Sequence, residues 1–92
     1  MSDDTKVSFG TASEIAISLN RLGILRDDDR MRIGEYLEGR TLLYSEVIAQ
    51  IWYACRINET PQRRAITRSI CLTLLPNLDD NTLLYYMMNL PV

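Results

Sequence analysis

Residues 41–58, TLLYSEVIAQIWYACRIN, are the most apolar stretch of this 92-residue chain. At helical spacing the stretch carries two neighbouring apolar lines, which are Leu43, Val47, Ile51 and Ala54, and Tyr44, Ile48, Trp52 and Cys55. Together the two lines cover well over half of a helix surface, so this third helix is expected to be buried on two sides. Such burial occurs at the centre of a monomer or across a dimer.

A homodimer through the third helix is the arrangement we favour, because a domain of this size hides a limited amount of apolar surface by itself. The expected dimer interface is the line Tyr44, Ile48, Trp52 and Cys55. Trp52 and its neighbour Tyr53 are large aromatics of the kind that interface centres favour. The alternative is a core helix inside a monomer.

Upstream of this stretch the sequence predicts a flexible arm and a first helix. Residues 1–10 are polar and carry no period, which is typical of a mobile terminus. Thr11 and Glu14 have the spacing of a capping box and predict a helix over 12–22, with Gly23 as a left-handed terminator.

A second helix is predicted in DDDRMRIGEYLEG, residues 27–39. Its three consecutive aspartates suit the positive end of the helix dipole. A metal site is the alternative, but consecutive carboxylates splay around the axis and no calcium-loop glycine follows them. Gly34 is expected to allow a close helix crossing, and Gly39 to end the helix.

Downstream, a fourth helix is predicted from Pro61 to about Leu75, with Thr60 as its cap. Its expected buried side comprises Ile66, Ile70, Thr73 and Leu74. A last short helix begins at Asp79 or Asp80. No strand is predicted. The expected fold is all-α, a compact and dimeric bundle of four main helices plus a short C-terminal helix, with residues 11–92 as a single helical domain.

Composition narrows the range of functions. The chain has no histidine and two cysteines, so a tetrahedral zinc set or a His-activated nucleophile is not expected. We therefore predict no enzymatic activity, no metal and no cofactor, and we expect Cys55 and Cys71 to be buried hydrophobes. The chain carries no apolar run of membrane-spanning length and no basic, apolar start, so we expect a cytoplasmic protein with no membrane association.

The stretch ETPQRRAITRS, residues 59–69, places Arg63 and Arg64 where a helix dipole disfavours cations by about 0.3–1 kcal/mol. Arg64 and Arg68 lie four apart on the face opposite the apolar one, Arg63 lies at its margin, and Arg56 could join them across a short connection. We predict that these four arginines form a basic, partner-binding face.

Three interpretations of this basic face remain open. The arginines could make solvated contacts with nearby acids, rim a protein interface, or touch phosphates. The net charge of −2 and the pI near 5.0 disfavour a generally basic nucleic-acid binder. Nine of the ten basic residues are arginine, which favours directed contacts over general solubility. Protein binding is therefore preferred to nucleic-acid binding.

The order of features from Ala12 to Leu75 resembles the small enterobacterial biofilm and acid-resistance regulators, the AriR/YmgB group of two-component connector proteins. The shared pattern is a short helix, an acidic linker, an Ile-Gly-containing helix ending at Gly39, the apolar third helix after Leu42, and an arginine matched by Arg68. The resemblance implies a small helical dimer that binds response-regulator machinery; DNA binding has also been suggested for the group.

The function expected from these observations is non-enzymatic regulation by binding a protein of the transcription or signalling machinery. One alternative is a phage- or plasmid-encoded inhibitor of a host or defence complex. A second alternative is a regulator that binds nucleic acid weakly.

Overall fold

The computed structural model describes residues 5–90, which form five helices and one two-stranded sheet. The helices are α1 (Ala12–Ser18), α2 (Asp27–Leu37), α3 (Tyr44–Ala54), α4 (Thr60–Leu74) and α5 (Asp80–Met88). The strands are β1 (Lys6–Ser8) and β2 (Thr41–Leu43). The predicted mainly helical architecture is confirmed. Within the described residues no helix has the length and apolar character needed to cross a membrane.

The expectation that the chain has no strand is wrong. Strand β1 lies antiparallel to β2, with Val7 opposite Leu42, and the pairing continues where the Phe9 amide donates to the Arg40 carbonyl at 2.9 Å. The described part of the predicted arm is therefore hydrogen-bonded, and Val7 and Phe9 pack against the core. A strand of three residues is too short to show a period, and its partner is distant in sequence. Residues 1–4 of the predicted arm lie outside the described residues.

The start of α1 is as predicted, but its end is not. The Thr11 Oγ1 accepts from the Glu14 amide at 3.2 Å, and the Glu14 carboxylate accepts from the Thr11 amide at 3.0 Å, which confirms the capping box. The helix stops at Ser18, and the chain continues through tight turns such as the Leu22 amide donating to the Leu19 carbonyl at 3.0 Å. These turns bury Leu19, and Gly23 has no positive φ.

Helix α2 crosses α1 at Gly34, as predicted. A Cβ at Gly34 would lie 2.5 Å from the Ala12 carbonyl oxygen, so the two backbones approach as closely as a glycine permits. The Glu38 carboxylate accepts from the Ala12 amide at 2.8 Å and satisfies a free donor at the start of α1. Gly39 follows α2 with a φ of 68°, the left-handed conformation expected of a terminating glycine.

Two of the three aspartates at the start of α2 bond within their own helix or to its N-cap residue. The Asp29 carboxylate accepts from the Arg26 amide at 3.3 Å and from Arg32 at 2.9 Å, and Asp27 pairs with Arg30. The capping interpretation therefore accounts for Asp29. No group of three His, Cys, Asp or Glu side chains within residues 5–90 is arranged to hold a metal ion.

Helix α3 is the central helix and packs against α2, α4 and α5. Both of its apolar lines are covered inside one chain, since Ile48 is fully buried and Trp52 is 3% exposed. Cys55 is also buried, and Tyr44 is half-buried against the core. The line expected to form a dimer interface thus lies largely in the core, which removes the apolar surplus that motivated the dimer.

The packing face of α4 differs partly from the predicted one. Ile66 and Ile70 are buried as expected, whereas Thr67 and Cys71 take the places predicted for Thr73 and Leu74, which are half-buried. The N-cap is Glu59 and not Thr60. Both cysteines are free and buried, as predicted, and burial raises the pKa of the Cys71 thiol to about 12.

Two carboxylates at helix starts predict how stability depends on pH. Hydrogen bonds from Thr11 lower the pKa of Glu14, and those from Thr82 lower the pKa of Asp79, the N-cap of α5. A carboxylate whose pKa is lowered on folding stabilises the folded state at pH values above its ordinary pKa, which is 4.5 for Glu14 and 3.8 for Asp79. This stabilisation is lost as the pH falls through the lower pKa of the folded state. We therefore expect the melting temperature to decrease as the pH is lowered from about 5.

The variant Asp79→Asn provides the control for this acid dependence. Asparagine keeps the capping oxygen but cannot titrate, so its melting temperature should fall less steeply with acid than that of the parent. Thermal melts from neutral pH to about pH 3 measure the difference. Parallel curves for the two proteins would show that the cap of α5 does not contribute.

Candidate functional site

Arg63 is held by the end of α3. Its Nε donates to the Trp52 carbonyl at 3.1 Å, its Nη2 donates to the same oxygen, and its guanidinium lies 4.3 Å from the centroid of the Trp52 ring. The Trp52 carbonyl is one of the last four of its helix and has no partner within it. A cation there is favoured by the dipole of α3, which offsets its unfavourable position at the start of α4. Arg63 therefore serves the fold.

Arg68 links α4 to the start of α5. Its Nη2 donates to Asp80 Oδ1 at 3.0 Å, and both side chains are about half exposed. An exposed pair of this kind contributes at most about 1 kcal/mol, because water screens it. The contact can therefore be exchanged for another carboxylate at little cost.

Arg64 is the arginine of this helix that the fold does not use. Its side chain is exposed and makes no hydrogen bond or ion pair with residues 5–90. It borders a shallow groove of about 150 Å³ between α4 and α5, whose other lining residues are Ala65, Arg68, Leu84, Met87 and Met88. We call this the α4–α5 groove. It has an apolar floor and an arginine edge.

The floor of the α4–α5 groove is exposed to solvent. Leu84 is 50% and Met88 76% exposed, and the adjacent Tyr85 is also exposed, whereas Leu83 and Met87 of the same helix are buried. Large apolar side chains that a chain leaves uncovered in a contiguous patch mark interaction surfaces. The C-terminal helix thus supplies half of the candidate site.

The four arginines predicted as one basic face are divided by the structure. Arg64 and Arg68 border the α4–α5 groove, and Arg63 is occupied by Trp52. Arg56 lines a different pocket, together with Arg26, which precedes α2, and Arg32, which lies in α2.

Sequence reasoning missed the contribution of α5, although a signal was present. Leu83 with Met87 and Leu84 with Met88 form two apolar lines on a helix of nine residues. Helix α5 packs the line of Leu83 and Met87 against the core, so the second line is left for another contact.

Single substitutions of the adjacent arginines should separate their roles. Arg63→Gln is expected to lower the free energy of unfolding by about 1 kcal/mol, since it loses charged hydrogen bonds to Trp52. Arg64→Gln should change it by less than about 0.5 kcal/mol, or raise it, because a cation leaves the positive end of α4. Urea unfolding of both variants measures this, and equal losses would contradict the assignment.

Comparisons with protein-family models, curated proteins and solved structures find no match to this chain. The geometry of the α4–α5 groove is therefore the basis for assigning a function.

Proposed function

We propose that the chain is a small non-enzymatic regulatory protein that acts by binding another protein through the α4–α5 groove. The observation that carries the proposal is the guanidinium of Arg64, which has no hydrogen bond or ion pair among the described residues, beside the exposed floor of Leu84 and Met88. Aromatic residues, methionine and arginine are the types enriched at protein interfaces. Regulation of transcription or signalling is the context suggested by the resemblance of residues 12–75. The free, buried cysteines suit a reducing compartment such as the cytoplasm.

The partner segment that best fits the groove is an amphipathic helix with acidic flanks. Its apolar stripe would cover Leu84 and Met88, and methionine adapts to apolar surfaces of different shape. Its carboxylates would pair with Arg64, and also with Arg68 in exchange for Asp80. A guanidinium can donate two parallel hydrogen bonds to the two oxygens of one carboxylate, so such contacts are directional.

Nucleic acid fits the same surface less well. The groove offers two arginines, one of them already paired with Asp80, on a chain with a net charge of −2. Phosphate contacts supply most of the affinity of nucleic-acid binding, and the acidic remainder would oppose it. An apolar floor also has no partner on a phosphate backbone.

A designed peptide provides a direct test. A helix of about five turns, with leucines along one stripe and glutamates beside it, should shift the amide resonances of α4 and α5. Leu84→Gln and Arg64→Gln should each weaken binding roughly tenfold, equivalent to about 1.4 kcal/mol. Met31→Gln and Arg40→Gln are matched controls, because both residues are exposed elsewhere on the surface.

The outcomes of this test separate the candidate functions. A peptide with lysine in place of glutamate should bind much more weakly, and equal binding of the two peptides would overturn the proposal. Binding to duplex DNA would favour the nucleic-acid alternative if its affinity falls about tenfold, for each phosphate contact, with every tenfold rise in salt concentration. Once validated, the Leu84→Gln variant is the negative control for identifying the natural partner in the source cell.

A second copy of the chain is the alternative occupant of this groove. With Ile48 and Trp52 in the core, a second copy would have to use exposed apolar residues such as Leu84, Tyr85 and Met88. Sedimentation at micromolar concentration should then give twice the chain mass. The Leu84→Gln variant should sediment with the mass of a single chain. A monomer at that concentration would leave the groove to a different protein.

A further inference from the structure

A second pocket lies at the C-terminal end of α3, where the turn before α2 meets the α3–α4 connection. Its volume is about 180 Å³, and Leu25, Ile57 and Ile70 supply apolar lining. Three arginines, Arg26, Arg32 and Arg56, also line it. We call it the arginine pocket. It does not share a lining residue with the α4–α5 groove.

Two of the three arginines are available to a ligand. Arg32 is engaged by Asp29 at 2.9 Å, and both of these side chains are partly buried. Arg26 and Arg56 are exposed, and their guanidinium groups make no hydrogen bond or ion pair with residues 5–90. Three cations and one anion give the pocket a local positive charge on a chain whose net charge is −2. The pocket therefore attracts an anion.

We propose that the arginine pocket binds a carboxylate carried by a short apolar group. A guanidinium matches the two oxygens of a carboxylate, and the lining from Leu25, Ile57 and Ile70 favours an apolar body over a hydrated one. Sites for drug-sized ligands occupy about 300–1,000 Å³, so this pocket suits a group the size of a single side chain. Such a group comes either from a free small acid or from the C-terminal residue of a peptide.

The test uses 4-methylpentanoate, the carboxylate that combines a leucine-like branch with one negative charge. Titrated into the ¹⁵N-labelled chain, it should shift the amides of Leu25, Arg56 and Ile57 in a saturable way. The uncharged 4-methylpentanamide should bind at least roughly tenfold more weakly, since it cannot pair with the guanidinium groups. Inorganic phosphate should also bind more weakly, because it has no apolar group.

Variants assign the binding to this pocket. Arg26→Gln and Arg56→Gln should each weaken the carboxylate roughly tenfold without changing the melting temperature, because neither side chain holds the fold. Arg40→Gln removes the same charge from an exposed position outside the pocket and should bind like the parent. Equal binding of acid and amide, binding of phosphate as tight as that of the acid, or equal loss in Arg40→Gln would each overturn the proposal.

Two peptides distinguish the sources of the carboxylate. A peptide ending in a free leucine carboxylate should bind more tightly than 4-methylpentanoate if chain ends are the natural ligand, and no more tightly if free acids are. The same peptide with an amidated end should fail to bind in either case. Binding of the amidated peptide at parent affinity would overturn the proposal, and no outcome here bears on the α4–α5 groove.

Discussion

Trp52→Ala is expected to lower the free energy of unfolding by about 3–5 kcal/mol, the usual cost of truncating a buried aromatic to alanine. The indole is 3% exposed on the central helix, so its removal leaves a cavity that the surrounding helices can only partly fill. The ring also supports the Arg63 guanidinium at 4.3 Å, and this contact is lost as well. Domains of this size are stable by about 5–15 kcal/mol, so the substitution removes a large part of the stability and brings the chain close to unfolding at the lower end of this range.

Tyr53→Ala is the matched control for this prediction. Tyr53 is the next residue of α3 but is 56% exposed, so its truncation should change the free energy of unfolding by about 0.5 kcal/mol or less. Urea unfolding followed by circular dichroism compares the two variants without relying on tryptophan fluorescence. A Trp52→Ala protein as stable as Tyr53→Ala would mean that the indole does not lie in the core of the chain.

Gly34→Ala is expected to destabilise the chain by about 2 kcal/mol. The added Cβ would lie 2.5 Å from the carbonyl oxygen of Ala12 and 3.0 Å from its Cα, and backbone atoms cannot turn aside as a side chain can. Helices α1 and α2 would have to separate, with a packing cost of about 1–3 kcal/mol or more. Alanine returns about 1 kcal/mol through its better helix propensity, so the net loss reflects the upper part of that range.

Gly23→Ala tests whether the loss at Gly34 is due to the crossing of helices. Gly23 has no atom within 4 Å of an added Cβ and no positive φ. The substitution should be neutral, or should stabilise by about 0.4–1 kcal/mol by restricting the unfolded chain. Denaturant midpoints of both variants give the comparison. A neutral Gly34→Ala would contradict the close approach of α1 and α2.

Capping residues and a terminating glycine in the sequence were sufficient to place several helix boundaries. The capping box of Thr11 and Glu14 and the left-handed Gly39 lie where the sequence predicts them, and the cap of α5 is Asp79, one of the two aspartates that the sequence offers. Each of these signals acts between residues a few positions apart, so it is contained in the sequence itself. The end of α1 was misplaced because its final turns are set by the burial of Leu19 and Leu25.

The sequence by itself thus determined that this is a mainly helical chain, where most of its helices begin, and that α3 is buried on two sides. Only the tertiary structure decided what covers α3, that Arg64 makes no hydrogen bond or ion pair within residues 5–90, and that β1 pairs with β2. Trp52 and Arg63 meet across a helix connection, and Arg64 and Met88 line one groove between two helices. Such contacts depend on how whole helices pack, because side chains distant in sequence become neighbours only when their helices share a core.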